Sequence, residues 1–384
     1  MLYFKHLARI MGEVFFMDVL LQNLFHISWQ MPVMWAIGGV LIYLAIVRQM
    51  EPALLLPMGF GAILVNLPAG AGQVLDTLFA IGIGEAELFP LMLFIGIGAM
   101  IDFQPLLANP KLMFLGAAAQ FGIFFTLALA SLLGYDLKDA ASISIIGAAD
   151  GPTSIFVATE LGSRYLGAIM VAAYSYMALV PLIQPPIIKL CTTKAERRIR
   201  MPYTGKPVSR TTKILFPIVV TLIVGIVAPD AVALVGFLMF GNLIRECGVL
   251  NSLSETAQNT MANLITIFLG ITIASQMKAA DFLRTDTLLI IGLGLVAFVF
   301  DTIGGILVAK VMNLFSKEKI NPMIGAAGIS AFPMSARVVH KLGLEEDNRN
   351  FLLRHAIGVN VSGQIASVIA GGLILALVKA ASGG

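Results

Sequence analysis

Two cysteines and four histidines in 384 residues are too few for a disulfide framework or a zinc site. Cys191 and Cys247 stand apart, and no two of His6, His26, His340 and His355 share a helix face at metal-ligand spacing. Charge is also scarce. Asp, Glu, Lys and Arg make up 12% of the chain, against about 25% in soluble domains. The net charge of +3 rules out a nucleic-acid footprint, and the basic residues fall in loops, the pattern that orients membrane proteins. There is no Walker phosphate loop and no Ser-His-Asp set, which argues against ATP-driven pumping by this chain alone. Apolar residues, by contrast, reach 58% and gather in long runs. The chain reads as an all-α polytopic membrane protein forming one membrane unit. Glu13 and Asp18 interrupt the N-terminal apolar region, so no cleavable signal peptide is expected. Residues 1–30, with Phe4, Phe15, Phe16 and Phe25 among charges, read as an interfacial amphipathic helix.

The chain resembles itself. Met50-Glu51-Pro52-Ala53 followed by Gly59-Phe60-Gly61 matches Ala228-Pro229-Asp230-Ala231 followed by Gly236-Phe237. Leu93-Phe94-Ile95-Gly96-Ile97 matches Ile267-Phe268-Leu269-Gly270-Ile271, and Ile146-Gly147-Ala148-Ala149-Asp150 matches Ile324-Gly325-Ala326-Ala327-Gly328. The shift is nearly constant across all three landmarks, so residues 31–190 and 213–378 are read as two repeats. A basic linker, 191–212, joins them. Each repeat holds five expected spans: near 33–48, 51–67, 86–101, 112–134 and 165–190, then near 214–228, 231–245, 263–277, 287–312 and 352–378. Before each last span lies a segment rich in Gly, Ser and Pro, at 140–160 and 320–340, expected to be a re-entrant or broken helix. An odd number of spans per repeat inverts the second copy. Loop charge agrees: the linker carries Lys194, Arg197, Arg198, Arg200, Lys206 and Arg210 and belongs in the cytoplasm, whereas 68–87 has no Lys or Arg and belongs outside. Paired broken helices in inverted repeats are the architecture of secondary transporters, with the site near the midplane.

That architecture singles out particular side chains. Asp150 lies between apolar runs in Gly147-Ala148-Ala149-Asp150-Gly151-Pro152-Thr153-Ser154. A carboxylate at a helix centre costs about 2.5–3.5 kcal/mol on insertion scales, and a broken helix survives in lipid only where it is buried or lines a cavity. Asp150 can therefore alternate between Na⁺ and a proton, with freed carbonyls completing an oxygen shell. Otherwise it simply caps a helix. In the second broken segment Ser330 offers a hydroxyl to a cation facing Asp150, and Asn321 offers an amide oxygen or an N-cap. Arg337 supplies a positive charge suited to a carboxylate ligand, or a positive-inside anchor. Tyr176 can relay a proton beside the carboxylate, or it and Tyr174 pack a helix interface. Asn360-Val361-Ser362-Gly363-Gln364 is too polar for a lipid face and lines a cavity or another helix; Asn360 is counted among the ion-binding residues. Asp301 is a second intramembrane acid, and a hydrogen bond to a neighbouring helix accounts for it as well as transport does.

At these residues the chain resembles the β subunit of the sodium-pumping, biotin-dependent decarboxylases, which act on oxaloacetate, glutaconyl-CoA or methylmalonyl-CoA. The resemblance runs from about Glu51 to the C-terminus. It is carried by Asp102-Phe103-Gln104-Pro105, Gly116-Ala117-Ala118-Ala119-Gln120-Phe121-Gly122, the Asp150 motif, Ala173-Tyr174-Ser175-Tyr176-Met177, Gln184-Pro185-Pro186, Lys319-Ile320-Asn321-Pro322 and Val359-Asn360-Val361-Ser362-Gly363. It implies that the chain decarboxylates carboxybiotin and exports Na⁺ while consuming an external proton. The implied partners are a carboxyltransferase subunit, a biotin carrier subunit and a small single-span membrane subunit, with the membrane unit itself a homo-oligomer in the bacterial cytoplasmic membrane. By motif, the family's essential residues fall on Asp150, Tyr176, Asn321, Gly325, Ser330 and Arg337, with Gly325 serving backbone geometry. The short loop 68–87 leans toward the acyl-CoA members. The alternative is a stand-alone carrier exchanging Na⁺ or H⁺ with an organic anion.

Overall fold

A computed structural model describes residues 27–68, 70–84, 87–202 and 207–381. The interfacial helix expected over 1–30 falls, up to residue 26, outside them. No strand occurs among the described residues, as bilayer physics requires of a chain whose backbone groups must be satisfied within each segment.

The main helices are α1 Gln30–Ile46, α2 Pro52–Val65, α3 Leu88–Met100, α4 Leu112–Leu132, α5 Leu137–Ser144, α6 Gly151–Glu160 and α7 Leu166–Cys191. After the linker follow α8 Arg210–Val227, α9 Val232–Glu246, α10 Asn251–Ala274, α11 Thr285–Phe315, α12 Met323–Ala326, α13 Met334–Glu346 and α14 Leu353–Ala381. Every expected span is a helix with its ends displaced by a few residues, except that α10 begins at Asn251, well before the start expected near 263. Six of them (α4, α7, α8, α10, α11 and α14) are long and apolar enough to cross a membrane, and α1, α2 and α3 are shorter apolar helices. The chain is a multi-pass membrane protein.

Helix breaks and prolines do not coincide everywhere. Helix α4 is interrupted at Ala119–Gln120, and α10 carries a π-turn over Thr256–Met261 after its first turn, a common device at functional kinks. Helix α7 continues through Pro181, Pro185 and Pro186. The segment expected at 140–160 is α5, a 3₁₀ turn over Ile145–Ala148, a left-handed Ala149 and then α6. The segment expected at 320–340 is one turn of helix, α12, a stretch of turns and bends, and α13, which runs on to Glu346.

Packing is reciprocal. Helix α2 packs on α10 and α9 on α3; α7 packs on α11 and α14 on α4; α6 packs on α14 and α13 on α7. Helices α4 and α11 meet at the centre. Small residues allow the closest approach: Gly98 of α3 abuts the Leu238 carbonyl of α9, and Gly241 of α9 abuts the Ile95 carbonyl of α3, so that a side chain at either would strike backbone. Helix α14 is buried along most of its length, whereas α8 buries only Pro217 and Val224. The polar side chains of α14 are thereby held in the protein interior.

Candidate functional site

Asp150 is 3% exposed and caps the N-terminus of α6, the role that Asp-Gly-Pro-Thr favours. Its Oδ2 accepts hydrogen bonds from Thr153 Oγ1 at 2.8 Å, Gln364 Nε2 at 2.8 Å and Ser367 Oγ at 3.0 Å. Its Oδ1 accepts only a long bond from the Thr153 amide, 3.4 Å. Thus one carboxylate oxygen is saturated by neutral donors, two of them from α14, while the other keeps most of its accepting capacity. Gly151, the first residue of α6, lies directly beneath the Tyr174 ring, leaving no room for a side chain there. Tyr174 is 1% exposed and its hydroxyl has no partner.

The two breaks touch. The Ser330 amide donates to the Ala148 carbonyl at 2.9 Å, a backbone bond between the second broken segment and the 3₁₀ turn before Asp150. The Ser330 hydroxyl donates to the Gly363 carbonyl of α14 at 3.1 Å. Asn360 donates to the Ile329 carbonyl at 2.7 Å. Gln120, at the interruption of α4, donates to the carbonyls of Gly116 and Gly328. Gln184 of α7 donates to the Ala326 carbonyl and accepts from Ser335. Side-chain amides thus take over the carbonyls that an unbroken helix would have satisfied itself. Two of them keep a free acceptor: Asn360 Oδ1 and Gln120 Oε1 are buried without a donor. Gly325 meets Gly305 of α11 backbone to backbone, each carbonyl against the other's Cα.

The remaining expected residues sit around this centre. Tyr176 donates from its hydroxyl to the Ile291 carbonyl of α11 at 2.5 Å, and its ring lies 6.4 Å from that of Phe298. Of the tyrosine pair, it is Tyr174 that flanks the Asp150 turn. Asn321 turns away from it. Its amide donates to the linker carbonyls of Arg197 and Ile199, both at 2.9 Å, and its oxygen caps the Met323 amide. Arg337 is exposed on the first turn of α13, where its charge acts on Glu51 at the start of α2. Burial pushes the Glu51 carboxyl above the usual range, and Arg337 pulls it part of the way back. Reading the sequence missed Ser367 and Gln120. Ser367 was findable: with Asn360 and Gln364 it completes an i, i+4, i+7 stripe on one face of α14.

This arrangement suits a small cation that needs oxygen ligands and a negative charge. Most of the chain matches one protein family. The model of the Na⁺-transporting oxaloacetate decarboxylase β subunit fits residues 30–378. The chain belongs to that family. It is 48% identical to the glutaconyl-CoA decarboxylase β subunit of Acidaminococcus fermentans over 91% of this chain and 94% of that one. It is also 48% identical to the methylmalonyl-CoA decarboxylase β subunit of Propionigenium modestum, over 90% and 94%. Identity to the oxaloacetate decarboxylase β chain of Haemophilus ducreyi is 45%, over 93% and 97%.

Proposed function

We propose that this chain is the membrane subunit that decarboxylates carboxybiotin and uses the reaction to export Na⁺, taking up a proton from outside. The observation that carries this reading is the Asp150 shell, a buried carboxylate with neutral donors on one oxygen and free capacity on the other, fixed between two broken helices that share a backbone hydrogen bond. Na⁺ is held by Asp150 and by oxygens of the second break, with Ser330, Asn360 and the backbone around Gly325 as the nearby groups. Gln364 and Ser367 orient the carboxylate. Tyr176 assists the proton and Arg337 meets the carboxylate of carboxybiotin at the cytoplasmic mouth. The proton balances the chemistry: carboxybiotin and H⁺ give biotin N–H and CO₂. Moving one charge against 100 mV takes about 2.3 kcal/mol, so the proton and Na⁺ must exclude each other at one carboxylate for the reaction to drive export.

The repeats are read as inverted, 31–190 against 213–378, and the reciprocal pairing of α2 with α10, α9 with α3, α7 with α11 and α14 with α4 supports that reading. In this orientation the linker is cytoplasmic, the membrane is the bacterial cytoplasmic one, and the chain assembles as a homo-oligomer with carboxyltransferase, biotin carrier and single-span subunits. The complete complex in proteoliposomes tests the mechanism. Asp150→Asn is expected to insert normally and to lose Na⁺-dependent decarboxylation by at least about 10²-fold, the scale of a mispositioned essential group. Retained Na⁺-stimulated activity removes Asp150 from the mechanism.

A further inference from the structure

Helices α4 and α14 run side by side in the same direction, with Gly358 against Leu112 and Gly116 against Ser362. Between them lies an apolar groove of about 410 Å³. Its space comes from Ala117, Ala366 and Ala370, and the exposed side chains of Phe114, Phe124 and Leu373 stand beside it. From Met113 to Phe124 the groove follows α4 for about 16 Å, at about 1.5 Å per residue. That is the depth of one leaflet in a hydrocarbon core about 30 Å thick. Spread over this length, the volume gives a cross-section of about 26 Å². A single methylene chain fits such a width, since carbon atoms rest at about 3.5–4.0 Å from one another. A helix, about 10–12 Å across, is too broad to lie in it.

The end of the groove where both helices begin is basic. Lys111 directly precedes α4 and is exposed, and among the described residues it has no acidic partner. Arg354, on the first turn of α14, is exposed and lies three turns before Ile365, which lines the groove on the same helix face. The nearby acids at the helix ends are already engaged: Glu345, Glu346 and Asp347 pair with Lys189, Arg197 and Arg200, and Glu246 pairs with Lys213 and Arg245. Lipid tails are as apolar as the groove, so burial alone selects no lipid. Fixed positive charge at headgroup level does select, in favour of anionic headgroups. We propose that the groove binds one acyl chain of an anionic glycerophospholipid of the cytoplasmic leaflet, with its phosphate between Lys111 and Arg354. The chain braces the interruption of α4, because Gln120 lines the groove and from there holds the Gly328 carbonyl. The leaflet rests on the orientation proposed above; the site does not depend on the reading of Asp150.

The test uses the complete complex carrying Phe124→p-benzoylphenylalanine, a photoreactive group in the groove wall, in vesicles of equal parts phosphatidylglycerol and phosphatidylcholine. After illumination, mass spectrometry of the peptide holding residue 124 identifies the occupant. Phospholipid adducts are expected, with phosphatidylglycerol exceeding phosphatidylcholine about fivefold, and Lys111→Gln or Arg354→Gln should bring the ratio to about one. Equal labelling by the two lipids overturns the site, and so does a ratio that neither substitution lowers. Adducts with the single-span subunit or with a second copy of this chain overturn it by naming another occupant. A measurement without the photoreactive group covers the case in which that variant does not assemble. Lipids are extracted from the purified, detergent-washed complex and counted. The wild type is expected to retain one phosphatidylglycerol per chain, and Ala117→Leu, which puts bulk into the groove from an exposed position, to retain none. No retained lipid in the wild type, or equal amounts in both proteins, overturns the proposal.

Discussion

Gly328 stands where the second repeat has no counterpart to Asp150, and the structure says what a methyl group there would do. A Cβ on Gly328 would lie 2.6 Å from the Ala119 Cβ and 2.8 Å from the Leu115 carbonyl, both on α4. Carbon atoms rest at about 3.5–4.0 Å, so the second break must retreat from α4 by about 1 Å. Backbone is involved on both sides, and no flexible side chain can give way instead. Overpacking of this kind costs about 1–3 kcal/mol, which a protein of this size survives. The functional loss is larger. Ser330 follows two residues later, and its 2.9 Å bond to the Ala148 carbonyl does not outlast a 1 Å displacement. The contact between the breaks is then lost together with the Gln120 bond to Gly328. A misplacement of that size costs about 10²-fold in rate. Gly328→Ala is therefore expected to purify with the complex, to lower its melting temperature modestly, and to reduce Na⁺-stimulated decarboxylation about 10²-fold. Activity within twofold of wild type would mean that the junction between the two breaks is not what positions the site.

Ser367→Ala removes one donor from Asp150 Oδ2. A hydrogen bond to a charged group contributes about 1.5–3 kcal/mol, and its loss favours the proton over Na⁺ at the carboxylate. The Na⁺ concentration for half-maximal decarboxylation should rise about tenfold; an unchanged value removes Ser367 from the site. Glu87, ahead of α3, is 7% exposed with Glu160 nearby, and burial first and Glu160 second push its carboxyl up to about 8. Because the folded value lies above the unfolded one, Glu87 contributes most stability below about pH 4.5, and that contribution is lost as pH rises through 8. Glu87→Gln should match the wild-type melting temperature at pH 5 and exceed it at pH 9. A gap that does not widen with pH would show Glu87 to be solvated.

The fold was legible because bilayer burial leaves few choices. Uninterrupted apolar runs become helices, and Gly, Ser and Pro between them become breaks that need internal partners. Asp150 could be read for the same reason, since its cost in lipid has to be repaid by something. The partners were harder to see. Gln364 lay inside a stretch recognised as too polar for lipid, but Ser367 sits among alanine, valine and isoleucine and shows itself only through helical periodicity. Gln120 belongs to an apolar run whose interruption leaves no Pro or charge in the sequence. Tyr174 and Tyr176 are two positions apart on one helix, which places them on different faces. No local signal says which face meets α6, and that depends on Gly151 allowing the ring to approach.

Asn321 is where two physical roles can be separated. Its side-chain nitrogen donates to the Arg197 and Ile199 carbonyls, and Asn350 donates to Arg197 as well, at 2.9 Å. Arg197 in turn bonds Glu346 at the end of α13 at 2.6 Å, with both side chains 13% exposed. Together these contacts fasten the linker across the entrance to the second break. Asn321→Ala leaves the Ile199 carbonyl without this donor and removes the cap from Met323. Unmade buried bonds cost about 1–3 kcal/mol each, so the linker should loosen locally while Asp150 keeps all of its donors. The expected result is faster tryptic cleavage at Arg197, Arg198 and Arg200 with an unchanged Na⁺ requirement. A shifted Na⁺ requirement with unaltered cleavage would make Asn321 an ion ligand, as its motif position suggested, and would require the second break to rearrange during transport so that this amide oxygen leaves Met323 and turns inward.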